Sequence, residues 1–515
     1  MGVGMPGDQF KPKQKRLGYD NRTILLSAFG LIAFAWPAPA TTYYVSPTGS
    51  DTNLGTDSAP LLTIQRAASM VNPGDTVIVR DGTYSNAAAA GVGSKLVSVS
   101  RGGTASSWIT FMAENTWGAV IDGLNNTTAE GWSVAASYIR VQGFEVKGFS
   151  DDAFSNYSGG QSLDIIGNHI HDIGRYCATT GIGRDGIFLG SDNVTVEKNM
   201  IHDIGRYAPG ENGCTNSLYY RTNDHAIYIA GANNVMIRNN IFYRNQHGWS
   251  VHVYPKPVAN ISISNNTFVF PNPWVPGHII LAGPVTNSRI ENNIFYQPYA
   301  VGVHFYNTSG YTNVAIDNNI TYQATIADAT PSGVTVSGNK DNTDPLLANP
   351  PTYDFRLTSG SPAIDAGLTL SDVQYDYAGV SRSQGNDIGA YAFAGDLRTQ
   401  LLNTVLTGLS PGQGSGDDPL MNADQWAYYY SRIRTPLTPA MMGQLLDALG
   451  ISTSEPQRSS TLISVDQFIA GLNTIGPSQA GVMALVPRAR LSLYICAAIV
   501  LAVTLFALMP MRRHN

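Results

Sequence analysis

Between Leu163 and Tyr322 a short alternating segment ending in asparagine returns six times, as LDIIGN, VTVEKN, VMIRNN, ISISNN, SRIENN and VAIDNN. The terminal residues are Asn168, Asn199, Asn240, Asn266, Asn293 and Asn319. Repeats at spacings of roughly 25 to 40 residues mean stacked supersecondary units. Apolar residues fall at every second position, which is the strand period, and no segment here follows the helical period of about 3.6, so helical solenoids are excluded. Unequal turn lengths and the lack of a blade signature disfavour a propeller. What remains is a right-handed parallel β-helix: each turn pairs with its neighbours about 4.8 Å away, and a corner Asn can pass amide hydrogen bonds along the stack. The expected fold class is all-β, a right-handed parallel β-helix (solenoid) with a small C-terminal helical module and a C-terminal transmembrane helix.

Those last two elements come from the ends of the chain. Lys11, Lys13, Lys15, Arg16 and Arg22 precede an apolar stretch from Ile24 to Trp36, followed by Ala38-Pro39-Ala40. Residues 1–40 therefore read as a secretory signal peptide, an uncleaved anchor being the alternative. After the β-helix, assigned to 41–396, short helical patterns separated by Gly, Pro and Ser occupy 397–487. Within 488–515, Leu491 to Met509 is uncharged and long enough to cross about 30 Å of hydrocarbon, with Arg512 and Arg513 behind it. The expectation is an exported protein on the extracytoplasmic face of a membrane or at the cell surface, its tail cytoplasmic.

Charged residues are only 13% of the chain, which suits many tight turns, and the net charge of −6 with no basic stripe excludes nucleic acid as a partner. Of three cysteines, Cys496 lies in the terminal apolar run. Cys177 and Cys214 follow two copies of one motif and are read as a disulfide between neighbouring turns, two free thiols being the alternative.

The stretch after residue 40 carries Tyr44-Val45-Ser46, Gly49-Ser50-Asp51, Ile64-Gln65-Arg66-Ala67, Pro73-Gly74-Asp75 and Gly82-Thr83-Tyr84. It resembles the amino-terminal cap of secreted right-handed β-helix proteins of the pectate-lyase-like superfamily, and is similar to relatives of polysaccharide lyase family nine. Asp344-Pro345, Ser361 to Gly367 and Asp387-Ile388-Gly389-Ala390-Tyr391 resemble the closing segment of the same superfamily. The resemblance implies a polysaccharide partner and, for uronates, β-elimination. Family-nine lyases use a Lys base and an Asp-rich calcium cluster. No matching acidic cluster is visible in this sequence, so the cofactor stays undetermined, with a divalent cation such as calcium compatible with the chemistry.

Eight of the nine His residues lie between His169 and His304. NHIHDIGRY (168–176) recurs as NMIHDIGRY (199–207), which places His171-Asp172 against His202-Asp203. A repeated structural corner and a divalent-ion cluster both satisfy that pattern. The strands that follow each loop contain Arg184 to Leu189, Asn223 to Ile229 and Gln246 to Tyr254. Alternation sends Ile187, Leu189, Ile227 and Ile229 inward and Phe188 and Tyr228 outward. One register stacks Asp185, His225 and His247, flanked by Asp224; another sets His252 and Tyr254 level with Ala226 and Tyr228. His225 is the first candidate base, oriented by Asp224 or Asp185, with His247 and Lys256 as further candidates. A positioned base is worth roughly 10² to 10⁴ in rate. Arg184 and Arg221 are candidate partners for a substrate carboxylate, and Tyr228, Tyr254 and Trp249 for the sugar. The expected function is a carbohydrate-active protein, a polysaccharide lyase or epimerase abstracting a C5 proton from an acidic polysaccharide. The alternative is a non-catalytic cell-surface protein for glycan binding or adhesion.

Overall fold

The computed structural model describes residues 40–393, apart from 158, 178–182, 216–221, 246 and 383–384. The signal segment, the 397–487 region and the apolar run Leu491 to Met509 lie outside the described residues, as does Arg221. Among the described residues no helix is long and apolar enough to cross a membrane.

Three parallel sheets of 12, 9 and 9 strands form the body, with each strand paired to its counterpart one turn before and one turn after. One turn shows the plan. Val194–Glu197 belongs to the first sheet, Met200–Ile204 to the second and Asp224–Ile229 to the third, and Val235–Arg238 returns to the first. Inward side chains fill a continuous core, including a stack of Phe242, Phe268 and Phe295 with ring centroids 4.6 and 5.2 Å apart. At the amino-terminal end a helix, Ile64–Met70, buries Ile64, Ala67 and Ala68 in that core. Thr63 caps it, its side chain accepting the Arg66 N–H at 3.1 Å.

The repeated Asn residues occupy the corner between the first and second sheets. From Asn168 through Asn199, Asn240, Asn266, Asn293 and Asn319 to Asn339, each side-chain oxygen accepts both the backbone N–H and the amide N–H of the preceding Asn, at 2.8–3.1 Å. Asn339, in VTVSGN, is a rung that the six-fold motif reading leaves out. The residue before each rung takes a left-handed backbone: Gly167, Lys198, Asn239, Asn265, Asn292, Asn318 and Gly338 have φ of 53 to 64°. Gly and Asn adopt that conformation at least cost, which accounts for the Gly-Asn and Asn-Asn pairs.

The first Asn of each doublet has a second task. Asn239, Asn265, Asn292 and Asn318 donate to the carbonyls of Tyr375, Asp387, Leu368 and Ala366, at 2.8, 2.9, 2.9 and 3.0 Å respectively. The closing segment is thereby stitched along the corner, where Ala363, Ile388 and Ala390 join a second apolar cluster with Ile241, Ile294 and Ile320.

Candidate functional site

The third sheet carries the site, and a departure from strict alternation shapes it. In Asp224–Ile229 both Ala226 and Ile227 are fully buried in the core, while Tyr228 is half-buried. The equivalent position one turn earlier is Gly186, where a Cβ would meet the Ala226 carbonyl at 2.6 Å and the Ile201 side chain at 3.5 Å. A small inward residue at this bend lets the residue before it emerge on the outer face. Two outer columns result. One runs Glu130, Asp152, Asp185, His225, Trp249, and the other Ser133, Ser155, Phe188, Tyr228, His252.

Both registers read from the sequence are corrected here. Gly248 stands opposite Asp224, Trp249 opposite His225 and His252 opposite Tyr228. The two expected registers miss this by two residues in opposite directions, and a two-residue slip preserves which side chains face inward. Gly248 makes the choice: a Cβ there would lie 1.1 Å from the Asp224 carbonyl oxygen, so no other residue of that strand can stand at this position.

The aromatic column is continuous. Ring centroids are 4.0 Å apart for Tyr157 and Phe188, 5.6 Å for Phe188 and Tyr228, 5.2 Å for Tyr228 and His252, and 5.7 Å for His252 and Tyr254. Tyr254 and Tyr157 are 45% and 49% exposed, so the column opens to solvent at both ends. Trp249 is not part of this platform: it is 2% exposed and stacks flat on His304 at 5.6 Å, packed with Val275 and Ile280.

His225 is buried with its ring nitrogens committed. Nδ1 accepts the Trp249 backbone N–H at 3.3 Å, so the ring proton sits on Nε2 and is donated to His252 Nδ1 at 2.9 Å. Burial drives the pKa of His225 well down, helped by His252 and Arg206, and burial takes His252 to about 4. Both rings are neutral at ordinary pH, and His252 carries its proton on Nε2. No lone pair of His225 is left to take a proton, which overturns its assignment as the base. Asp224 does not orient it either. Its carboxylate is sealed against Arg206 and also accepts the backbone N–H groups of Arg206 and Arg184 at 2.8 and 3.0 Å.

His247 stands elsewhere, with Nε2 2.7 Å from Glu211 and Nδ1 accepting from Arg175 at 3.0 Å. Arg184 pairs with Asp151 at 2.8 Å and donates to the Tyr176 hydroxyl at 2.8 Å, so its charge answers a protein carboxylate. Lys256 is exposed beyond the end of Gly248–Val253 and makes no ion pair among the described residues. Cys177 and Cys214 are joined by a disulfide.

The sequence reading set Asp185 in line with His225, as the structure does, but missed Glu130 and Asp152 behind it, although EGW, DAF and DGI share a signal with HAI: a polar residue, a small one, then an apolar one. Burial, then the neighbouring Asp carboxyls, push Asp152 and Asp185 well above the usual carboxylate range. Among the described residues Asp185 Oδ1 is buried with no hydrogen-bond partner, whereas Asp152 accepts from the Tyr157 hydroxyl at 2.5 Å. Among the described residues these carboxyls do not group as calcium ligands would. Ligands 2.3–2.6 Å from a shared ion lie within about 5 Å of one another. Among the described residues the only group of three donors within 4.8 Å is Glu145, His169 and His171, on the second sheet. At that repeated corner His171 and His202 stack at 5.0 Å, nearly parallel. The His171 hydrogen bond, with Lys147 behind it and against the opposing effect of burial, lowers Glu145 to about 2.

The described residues form a right-handed parallel β-helix. Residues 43–228 match the family described as Pel9A-like, right handed beta helix region, and residues 136–343 that described as right handed beta helix region. The solved structure of pectate lyase Pel9A is similar over 69% of this chain and 97% of its own, at 18% identity and a TM-score of 0.49. An alginate lyase from Paenibacillus sp. str. FPU-7 is similar over 58% of this chain and 95% of its own, at 16% identity and a TM-score of 0.41. Among curated proteins, the uncharacterized protein YwoF of Bacillus subtilis is 31% identical over 142 residues, 25% of this chain, and the match spans only 28% of that relative's length.

Proposed function

We propose that the outer face of the third sheet binds an acidic polysaccharide and abstracts the C5 proton of a uronate unit, cleaving the chain by β-elimination or epimerising it. The reading is carried by one observation: an aromatic column lies beside a carboxyl column whose Asp185 is buried, has an oxygen without a partner among the described residues, and has a raised proton affinity. Sugar rings present C–H faces to Tyr157, Phe188, Tyr228 and Tyr254. A carboxyl group tuned upward by burial suits proton transfer near neutral pH.

In elimination the C5–H bond breaks and its proton passes to a base. The electron pair becomes the C4–C5 double bond, the C4–O bond breaks and the leaving oxygen takes a proton. Asp185 in its ionised form is the base. Tyr228, pushed up to about 12 chiefly by burial, and His252 through Nε2–H are the available donors. Lys256 supplies the positive charge for the uronate carboxylate. In epimerisation the proton returns to the opposite face of C5. We place this activity outside the cytoplasm, behind the 1–40 signal segment and held by Leu491 to Met509; protease accessibility on intact cells tests that placement.

A second reading, glycan binding without catalysis, is favoured by the internal commitment of His225 and Asp224. Incubation of the full-length protein with a panel of polyuronates separates the two, with unsaturated product followed by ultraviolet absorbance and retention by affinity electrophoresis. Product lost on Asp185→Asn supports the first reading and retention without product the second. Neither retention nor product on any acidic glycan overturns both.

A further inference from the structure

We propose that Glu145, His169 and His171 bind a divalent transition-metal ion of the zinc class, at a site on the second sheet that is independent of the polysaccharide face. The donor atoms of these three residues all lie within 4.8 Å of one another. Register brings them together: His169 stands opposite Glu145 on the neighbouring strand, and His171, two residues on, shares the outward face.

The surroundings are those of ligands already aimed. His171 Nδ1 pairs with Asp172 at 2.7 Å and its Nε2 lies 3.4 Å from Glu145 Oε1, so a single proton on Nε2 is all that stands between a second imidazole nitrogen and the carboxylate. A divalent ion entering here displaces that proton and takes both atoms as ligands. His202 Nδ1 likewise donates to Asp203 at 2.6 Å, so its Nε2 accepts from His169 Nε2 at 2.8 Å and leaves the His169 Nδ1 lone pair without a hydrogen bond among the described residues. A ligating imidazole whose other nitrogen is held by a carboxylate or a neighbouring acceptor is the usual outer shell of a metal site. The rings are also clamped by stacking, His169 on Trp117 at 4.7 Å and His202 on Tyr243 at 4.3 Å.

Two imidazoles and one carboxylate favour zinc, cobalt, nickel or copper over calcium or magnesium, which prefer oxygen. One group competes. Lys147 donates to Glu145 Oε1 at 2.8 Å, and its side chain, 35% exposed, has to swing away when the ion enters.

The test is calorimetric titration of the chelator-stripped full-length protein with zinc chloride and, separately, with calcium chloride. One zinc ion per chain is expected, with no competition from calcium. His171→Ala and the near-isosteric Glu145→Gln should each weaken binding at least about tenfold. Lys147→Gln should tighten it, an effect that a purely structural corner does not predict. His304→Ala, at a histidine paired with Asp328 on the third sheet, should leave it unchanged. The proposal is overturned if no saturable zinc binding appears, or if Glu145→Gln and His171→Ala proteins that melt like the parent bind zinc as the parent does.

Discussion

Asp224 and Arg206 meet with neither side chain exposed to solvent: the guanidinium Nε is 3.0 Å from both carboxylate oxygens and Nη2 is 2.6 Å from Oδ1. The same carboxylate accepts the backbone N–H groups of Arg184 and Arg206, so one residue pins two loop ends to the strand that carries His225. Removing one partner of a buried pair strands the other's charge, at about 3–5 kcal/mol. Asp224→Ala should lose that much stability in urea titrations, and a loss below about 1 kcal/mol would contradict the pair's role.

Asp185 offers a test in which mutation stabilises. Its folded pKa lies above the unfolded one because burial and neighbouring carboxyls disfavour the charge. The folded state therefore holds this proton more tightly. Its contribution is present below the unfolded pKa and is lost as pH rises through the raised folded value. Asp185→Asn, which cannot ionise, should melt higher than the parent near pH 8 and about equally near pH 4. A lower melting temperature at both would argue that Asp185 is ionised and paired.

The buried histidines act in the opposite direction. Burial takes His252 to about 4 and His278 to about 3. For a depressed histidine, stability is full above the unfolded value of about 6.5 and declines as pH falls toward the folded value. Thermal melts should therefore fall steadily from about pH 6.5 to 4, and His278→Phe should flatten that slope. An unchanged slope would place the acid sensitivity elsewhere.

A rung of the ladder can be cut at Asn266, which is fully buried, accepts both N–H groups of Asn240 and donates to Asn293 and to the Ile237 carbonyl. Asn266→Leu keeps the volume and removes those bonds, leaving buried backbone groups unpaired at roughly 1–3 kcal/mol each. The measurement is chemical denaturation. A change under about 1 kcal/mol would mean that strand pairing alone holds the corner.

For the proposed glycan face, Phe188→Ala and Tyr228→Ala should each weaken retention on the best polyuronate by roughly tenfold, since an aromatic contact is worth about 0.5–1.5 kcal/mol beyond its buried area. Trp249→Phe, beneath the neighbouring loop, should alter stability before affinity. Full retention in both column variants would move binding off this face.

Much of the architecture was legible because it is local and periodic. An alternating segment ending in Asn at a recurrent spacing allows a stacked coil, and that coil needs a stackable side chain at each corner. The doubling of Asn was visible too, but its reason was not. One Asn faces the ladder, while the other takes φ near 55° and holds a segment some 50 to 140 residues further along the chain. No local pattern encodes a partner that distant. The site followed the same division. Which residue types crowd the third sheet could be read from the chain. Their stacking could not, because a two-residue slip keeps every face unchanged. The contact between Gly248 and the Asp224 carbonyl selected the register, and in doing so it placed Trp249 and His252, instead of His247, against His225. His225 thereby became a buried donor to His252, and the carboxyl column, scattered in sequence from Glu130 to Asp185, came together only once the strands had stacked.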